Sequence, residues 1–207
     1  PWDWPVEVNC LEARAFCVWK ARASGLSVRL SSEDEWKRLY DHVGLSDVPP
    51  DAPANANLHL DHWASSCPVT RFAHGELFDV VGNVWQWCET PSYPFDGFDV
   101  HPIYDDFTTP TFDDRHGIIK GGSWISAGNE SRHASRYAFR RHFFQHAGFR
   151  YIVSDAPALN PASTYETDAL LSQYAEFHYG DELFGVPNFP QALADIAIDA
   201  QRRLGNG

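Results

Sequence analysis

The chain contains no methionine, an initiator included, and opens on Pro1. A native start needs one, so the sequence reads as an internal piece or a processed chain. No run of eighteen apolar residues exists, so no membrane-spanning helix is expected. No basic, apolar leader with a small-residue cleavage site is visible. Basic residues are few: 16 Lys and Arg against 28 Asp and Glu leave a net charge of −12. Neutralising phosphates needs Lys and Arg, so nucleic acid is not an expected partner. Cysteine is limited to Cys10, Cys17, Cys67 and Cys88, with no Cys-x-x-Cys pair, which excludes a zinc ribbon or thioredoxin motif. On a helix, Cys10 and Cys17 would be separated by a rise of roughly 10 Å, too far for a disulfide between them. Four cysteines in 207 residues do not make a disulfide scaffold, and a reduced, cytoplasmic setting is expected.

What is present is apolar and aromatic. Hydrophobic residues are 43% and aromatics 14% of the chain, enough for a core and too much for intrinsic disorder. Residues 9–24 read as a helix with Asn9 as N-cap, Glu12 completing a capping box and Gly25 ending it. Leu11, Ala15, Val18 and Trp19 recur at helical spacing and predict its apolar face. A strand over Ser27–Leu30 follows, then a second capping box, Ser32 with Glu35, opening a helix to about His42. From Gly44 to about Phe78 the pattern dissolves around Pro49, Pro50, Pro53 and Pro68, and a loop this long is usually functional or held by something such as an ion. A dense motif at 77–87 precedes an acidic, aromatic loop over 89–115. Ile118–Trp124 reads as strand, then Gly-Gly, then Ser-Trp, and Gly148–Val153 as a final strand, on either side of a basic, aromatic stretch from Arg132 to Phe144. The class expected is α+β, irregular, with short strands and long loops.

Composition shifts after Ser154. Residues 155–161 read as a linker, and Tyr165–Tyr179 and Gln191–Leu204 as helix-like segments, a tail too short for its own core. The expected division is therefore 1–154 and 155–207.

Four motifs, in order over about 120 residues, carry a resemblance. Arg29-Leu30-Ser31-Ser32-Glu33-Asp34-Glu35-Trp36, Gly82-Asn83-Val84-Trp85-Gln86-Trp87, Lys120-Gly121-Gly122-Ser123-Trp124 and Gly148-Phe149-Arg150 resemble the signature segments of the sulfatase-modifying-factor family. The resemblance implies a variant C-type-lectin-like fold. The formylglycine-generating members hold copper with a cysteine pair soon after Gly-Gly-Ser. Residues 124–132 contain no Cys, which argues against that activity. The run Ser135–Arg150 and the tail from Tyr165 to Pro190 look instead like the sulfoxide synthases of thiohistidine biosynthesis, the ovothiol branch above all. The resemblance implies an iron(II)- and O2-dependent enzyme joining cysteine to histidine. Its iron would be held by three His from an N-terminal helical domain or a partner chain, since no His-x-x-x-His-x-Glu motif occurs here. In that branch the tail leads into an S-adenosylmethionine-dependent methyltransferase domain, of which 155–207 would be the helical start. The alternatives are a non-catalytic lectin-like binding module and an ergothioneine-type sulfoxide synthase.

The resemblance and the residues themselves supply candidate site residues. Tyr137 matches the region where related synthases place an active-site tyrosine, a phenol able to give a proton or electron during oxygen chemistry. Its alternative is a plain strand aromatic. Arg132, Arg136, Arg140 and Arg141 cluster in an acidic protein and either clamp substrate carboxylates or pair with the acids of the 89–115 loop. Asn57 and Asn83 are candidate calcium ligands, as in some members of the superfamily, although Gln86 replaces the usual Glu. His142 and His146, four apart, and the loop residues His59 and His62 are weak metal candidates. Arg150 is expected to be structural, and Trp85, Trp87 and Trp124 to belong to the core.

Overall fold

A computed structural model of the chain describes residues 2–45, 56–101, 103, 108–127 and 129–156. The expected tail helices lie outside these residues. The chain divides into two compact units, 1–91 with 117–160, and 92–116 with 161–207.

In the first unit, helix α1 spans Cys10–Ser24. Asn9 caps it, its side chain accepting from the Glu12 amide while the Glu12 carboxylate accepts from the Asn9 amide at 3.0 Å. Gly25, at φ 70°, ends it in the left-handed conformation. The buried face, however, is Cys10, Ala13 and Cys17. The expected face is wrong: Leu11, Ala15, Val18 and Trp19 are all exposed. The reason is the volume of what faces the helix. Leu30, Trp85, Trp87, Ile119 and Ala147 make up the opposing core, and its two indoles leave room only for small helical side chains. Phe16 packs at the margin of this contact, on Phe149 and Tyr151.

Strand β1 (Val28–Leu30) leads into α2 (Glu33–His42), whose Ser32–Glu35 capping box matches the sequence reading. Trp36 and Tyr40 of α2 form a second core with Ala56, Leu58 and Val81. A small hairpin, β2 (Ala73–His74) with β3 (Leu77–Phe78), interrupts the expected loop. The main sheet has the order β6 (Tyr137–Arg140), β5 (His116–Lys120), β4 (Trp85–Pro91), β7 (Ala147–Phe149). β4 runs antiparallel to β5, with an irregularity between Trp87 and Pro91, and parallel to β7.

The strand expected ahead of the Gly-Gly pair ends at Lys120, where Gly121 and Gly122 take φ of 94° and 75°. The expected strand over 148–153 is two strands in two sheets. β7 pairs with β4, whereas β8 (Tyr151–Val153) pairs antiparallel with β1. Arg150 stands between them with its side chain drawn inward, as described below.

In the second unit, Ser92 donates its amide to the His116 carbonyl at 2.8 Å, and Phe98 packs edge-on against Phe112. Asp113 caps the turn by accepting from the Arg115 and His116 amides and lying 2.8 Å from His116 Nδ1. The fold class is α+β with short strands and long loops, as the sequence predicts. No helix among the described residues is long and apolar enough to cross a membrane.

Candidate functional site

Tyr137 opens the edge strand β6. Its half-buried ring meets Trp85 edge to face, with centroids 5.2 Å apart. Burial, and secondarily the charge of Glu130, raises its phenol above the ordinary value, so it keeps its proton at neutral pH. A phenol held at a sheet edge on an indole is oriented and proton-bearing, which is what a donor needs.

The four arginines separate. Arg136 donates through Nε to both oxygens of Glu33, at 2.9 and 3.1 Å. Glu33 is fully buried, and Lys37 and Lys120 stand 3.4 and 3.7 Å from the same carboxylate. Lys120, itself fully buried, donates to the carbonyls of His133 and Ser135 and lies over the Trp36 ring at 4.8 Å. Burial pushes its ammonium down to about 8, against the pull of Glu33. Arg136 is thus a strut between α2 and the segment before β6. Arg140 is exposed at the end of β6. Arg141, half-buried, accepts the Cys10 amide at its carbonyl, 3.0 Å away. Arg132 is half-buried, and its Nε, shielded from solvent, has no hydrogen-bond partner among the described residues.

Asn57 and Asn83 are brought together, with Asn57 Nδ2 3.3 Å from Asn83 Oδ1. That oxygen also accepts from the Cys67 amide at 2.8 Å, and Asn83 Nδ2 donates to the Cys67 carbonyl and Asp79 Oδ2. Asn83 is therefore a staple between the 65–68 loop and the Gly82 turn. Burial pushes the Asp79 carboxyl up to about 7, opposed by its bond from Asn83 and by Arg150. Gln86 donates to the carbonyls of Asp79 and Val80 at 3.1 and 3.0 Å and accepts from Arg150 Nε at 3.2 Å. Arg150 Nη2 donates to the Phe78 and Asp79 carbonyls at 2.8 and 3.2 Å. Only Asn57 Oδ1 and Asp79 Oδ1 lack a partner here among the described residues. Calcium takes roughly six to eight oxygens, so this set does not fit it. Sequence reasoning missed Asp79 and gave Gln86 no structural part. The bonds to Gln86 and Asp79 cross from Arg150, more than 60 residues away in sequence, and no local pattern announces them.

Among the described residues no three His, Cys, Asp or Glu side chains gather as a metal site, so these residues do not fit iron either. His142 and His146 are not on a helix: His142 meets Phe143 edge-on, and His146 lies 3.1 Å from Glu7 and against Trp124. His59 faces Asp61, and His62 packs on Trp63 and Phe72. Trp85 and Trp87 are core residues, Trp87 donating to the Val8 carbonyl at 2.9 Å, whereas Trp124 is half-buried. The four cysteines are free and buried.

This arrangement can be set beside known proteins. Residues 2–155 match the model of the sulfatase-modifying factor enzyme 1-like domain. The chain is 30% identical over 145 residues to hercynine oxygenase of Mycolicibacterium smegmatis, covering 61% of this chain and 32% of that protein. It is 26% identical over 129 residues to ergothioneine biosynthesis protein 1 of Schizosaccharomyces pombe, covering 62% of this chain and 16% of that protein. The chain thus spans a third or less of the length of these relatives. The structure of PvdO from Pseudomonas aeruginosa shares the fold, with a TM-score of 0.55 at 20% identity over 72% of this chain and 61% of that one. With its Gly82–Trp87 segment, its Gly-Gly-Ser-Trp turn and its closing Gly-Phe-Arg all in place, the chain belongs to the sulfatase-modifying factor enzyme 1-like family.

Proposed function

We propose that this chain is the lectin-like module of an iron(II)- and O2-dependent sulfoxide synthase that joins cysteine to histidine, as in ovothiol biosynthesis. The observation that carries the reading is the similarity over three fifths of the chain to a protein named hercynine oxygenase. The iron supplies oxygen activation and is expected on residues outside those described. The chain's own part is to wall the site. Tyr137 would offer the proton of a half-buried phenol to the reacting atoms, and Arg132 would pair with a substrate carboxylate. Arg136 and Lys120 are kept from substrate by Glu33. Residues 155–207 are proposed as the start of a methyltransferase-type domain. They carry no glycine-rich turn after a strand, so the 207-residue chain is expected not to bind S-adenosylmethionine in a calorimetric titration.

A second reading, the ergothioneine type, is favoured by the names of the relatives. The acceptor separates the two. The full-length protein is supplied with iron(II), O2 and cysteine, together with either histidine or hercynine, and products are read by mass spectrometry. A histidine–cysteine sulfoxide supports the ovothiol reading. A hercynine product alone moves the chain to the ergothioneine type. Absence of any C–S product from either acceptor, with iron bound, contradicts both and leaves a binding module.

A further inference from the structure

Residues 78–86 curl through three left-handed backbone positions, Asp79 (φ 48°), Gly82 (φ 77°) and Asn83 (φ 66°). The curl brings the carbonyls of Phe78, Asp79 and Val80 onto a common pair of donors. Backbone oxygens gathered in this way make a cradle for positive charge. What lies in it is a side chain. The Arg150 guanidinium takes Phe78 and Asp79, the Gln86 amide takes Asp79 and Val80, and the two side chains bond each other.

We infer that Arg150 is the built-in cation of this loop, that the loop consequently needs no calcium, and that Gln86 is the residue that makes it so. The argument turns on donor chemistry. A carboxamide offers two N–H groups and one acceptor, whereas a carboxylate only accepts. With Glu at position 86, the Val80 carbonyl would lose its donor and Asp79 would keep only Arg150, while two carboxylates and three carbonyls would converge on one guanidinium. With Gln, every one of those carbonyls has a donor. The internal cation does a second job. Arg150 lies between β7 and β8, where the chain leaves one sheet for another, so the bonds that fill the cradle also fix that crossing.

The test is thermal melting of the full-length protein in calcium chloride and in chelator, with terbium(III) as a luminescent probe sensitised by nearby tryptophan. The wild type is expected to melt at the same temperature in both and to give no terbium signal that Asp79→Asn removes. Arg150→Met is expected to melt lower, equally with and without calcium. Arg150→Met combined with Gln86→Glu exchanges the internal cation for an added carboxylate, and is expected to melt lower in chelator and recover in calcium. Should that double variant not fold, the comparison of wild type with Arg150→Lys remains, the lysine being expected to retain part of the stability lost with methionine. A calcium-dependent rise of the wild-type melting temperature that disappears in Asp79→Asn would overturn the inference. So would a folded double variant indifferent to calcium, or an Arg150→Lys variant no more stable than Arg150→Met.

Discussion

Replacing Asp79 by Asn is expected to stabilise the protein above neutral pH and to flatten its pH dependence. Asp79 is partly buried, accepts one bond from Asn83 Nδ2 and has a second oxygen with no described partner. The charged groups that face it are few. Arg150 attracts it, but its guanidinium is spent on backbone carbonyls, and the neighbouring Cys67 thiol is neutral, its ionisation pushed up to about 11 by burial and by Asp79 itself. The carboxyl therefore moves from 3.8 to about 7 on folding. Its folded value lies above its unfolded one, so the folded state binds more protons between those limits. Its contribution is fully present below pH ~4, is lost as pH rises to ~7, and does not return above that. Three pH units at about 1.4 kcal/mol each set a ceiling of about 4 kcal/mol. Solvent reaches part of the side chain, so about 2–3 kcal/mol is the expected loss. At about 2–4 °C per kcal/mol for a domain of this size, Asp79→Asn should melt roughly 4–12 °C above wild type at pH 8 and level with it at pH 4. Asn suits the site, since it accepts the Asn83 bond and tolerates left-handed backbone. Melts of both proteins across this range isolate Asp79 from other titrating groups. Parallel curves, with a constant offset at all pH values, would refute the reasoning.

Three further outcomes follow from the geometry. Glu33→Gln leaves Lys120 and Arg136 without their shared buried counter-charge and should cost about 3–5 kcal/mol, read as a fall in denaturant midpoint at unchanged slope. A loss below 1 kcal/mol would mean that the carboxylate does not neutralise these cations. Gly82→Ala places a Cβ 2.7 Å from the Asn57 carbonyl oxygen at a φ of 77° and should destabilise by roughly 2–4 kcal/mol in the same assay, whereas a neutral result would show that the turn can open. In the full-length enzyme, Arg132→Ala should raise the KM for one amino-acid substrate roughly ten- to hundredfold with stability retained. Arg136→Ala should lower stability first, and the reverse pattern would exchange their roles.

The local grammar of the chain was readable wherever the deciding contacts are near in sequence. Both capping boxes and Gly25 declare themselves within four residues, and α1 and α2 stand where those signals put them. The facing of α1 did not follow, because apolar periodicity favours large side chains. The core opposite is filled by Trp85 and Trp87 and accepts only Cys10, Ala13 and Cys17. The last strand split in two for a similar reason: Arg150 is committed to carbonyls of the 78–80 segment, far away in sequence. Burial of a charge has no local signature at all. Glu33 reads as an ordinary first-turn acid and Lys120 as a strand cation, yet each is fully buried and they lie 3.7 Å apart. For the candidate site, Tyr137 came from family resemblance and Arg132 from its place in a cluster of four arginines. The structure sets the Tyr137 ring edge-on to Trp85 and bonds Arg136 to Glu33, while Arg132 Nε has no hydrogen-bond partner among the described residues.

The central claim, that this module serves C–S bond formation through Tyr137, is tested most directly by product partition in the full-length Tyr137→Phe enzyme. Phe keeps the ring on Trp85 and removes only the hydroxyl, so thermal melting should be nearly unchanged. Supplied with cysteine, histidine, iron(II) and O2, the variant should form the sulfoxide roughly 10²–10⁴-fold more slowly. Oxidised cysteine, as its sulfinic acid, should accumulate in its place in the mass spectrum. An unchanged rate and an unchanged product ratio would contradict the account and leave Tyr137 as an aromatic of the sheet edge.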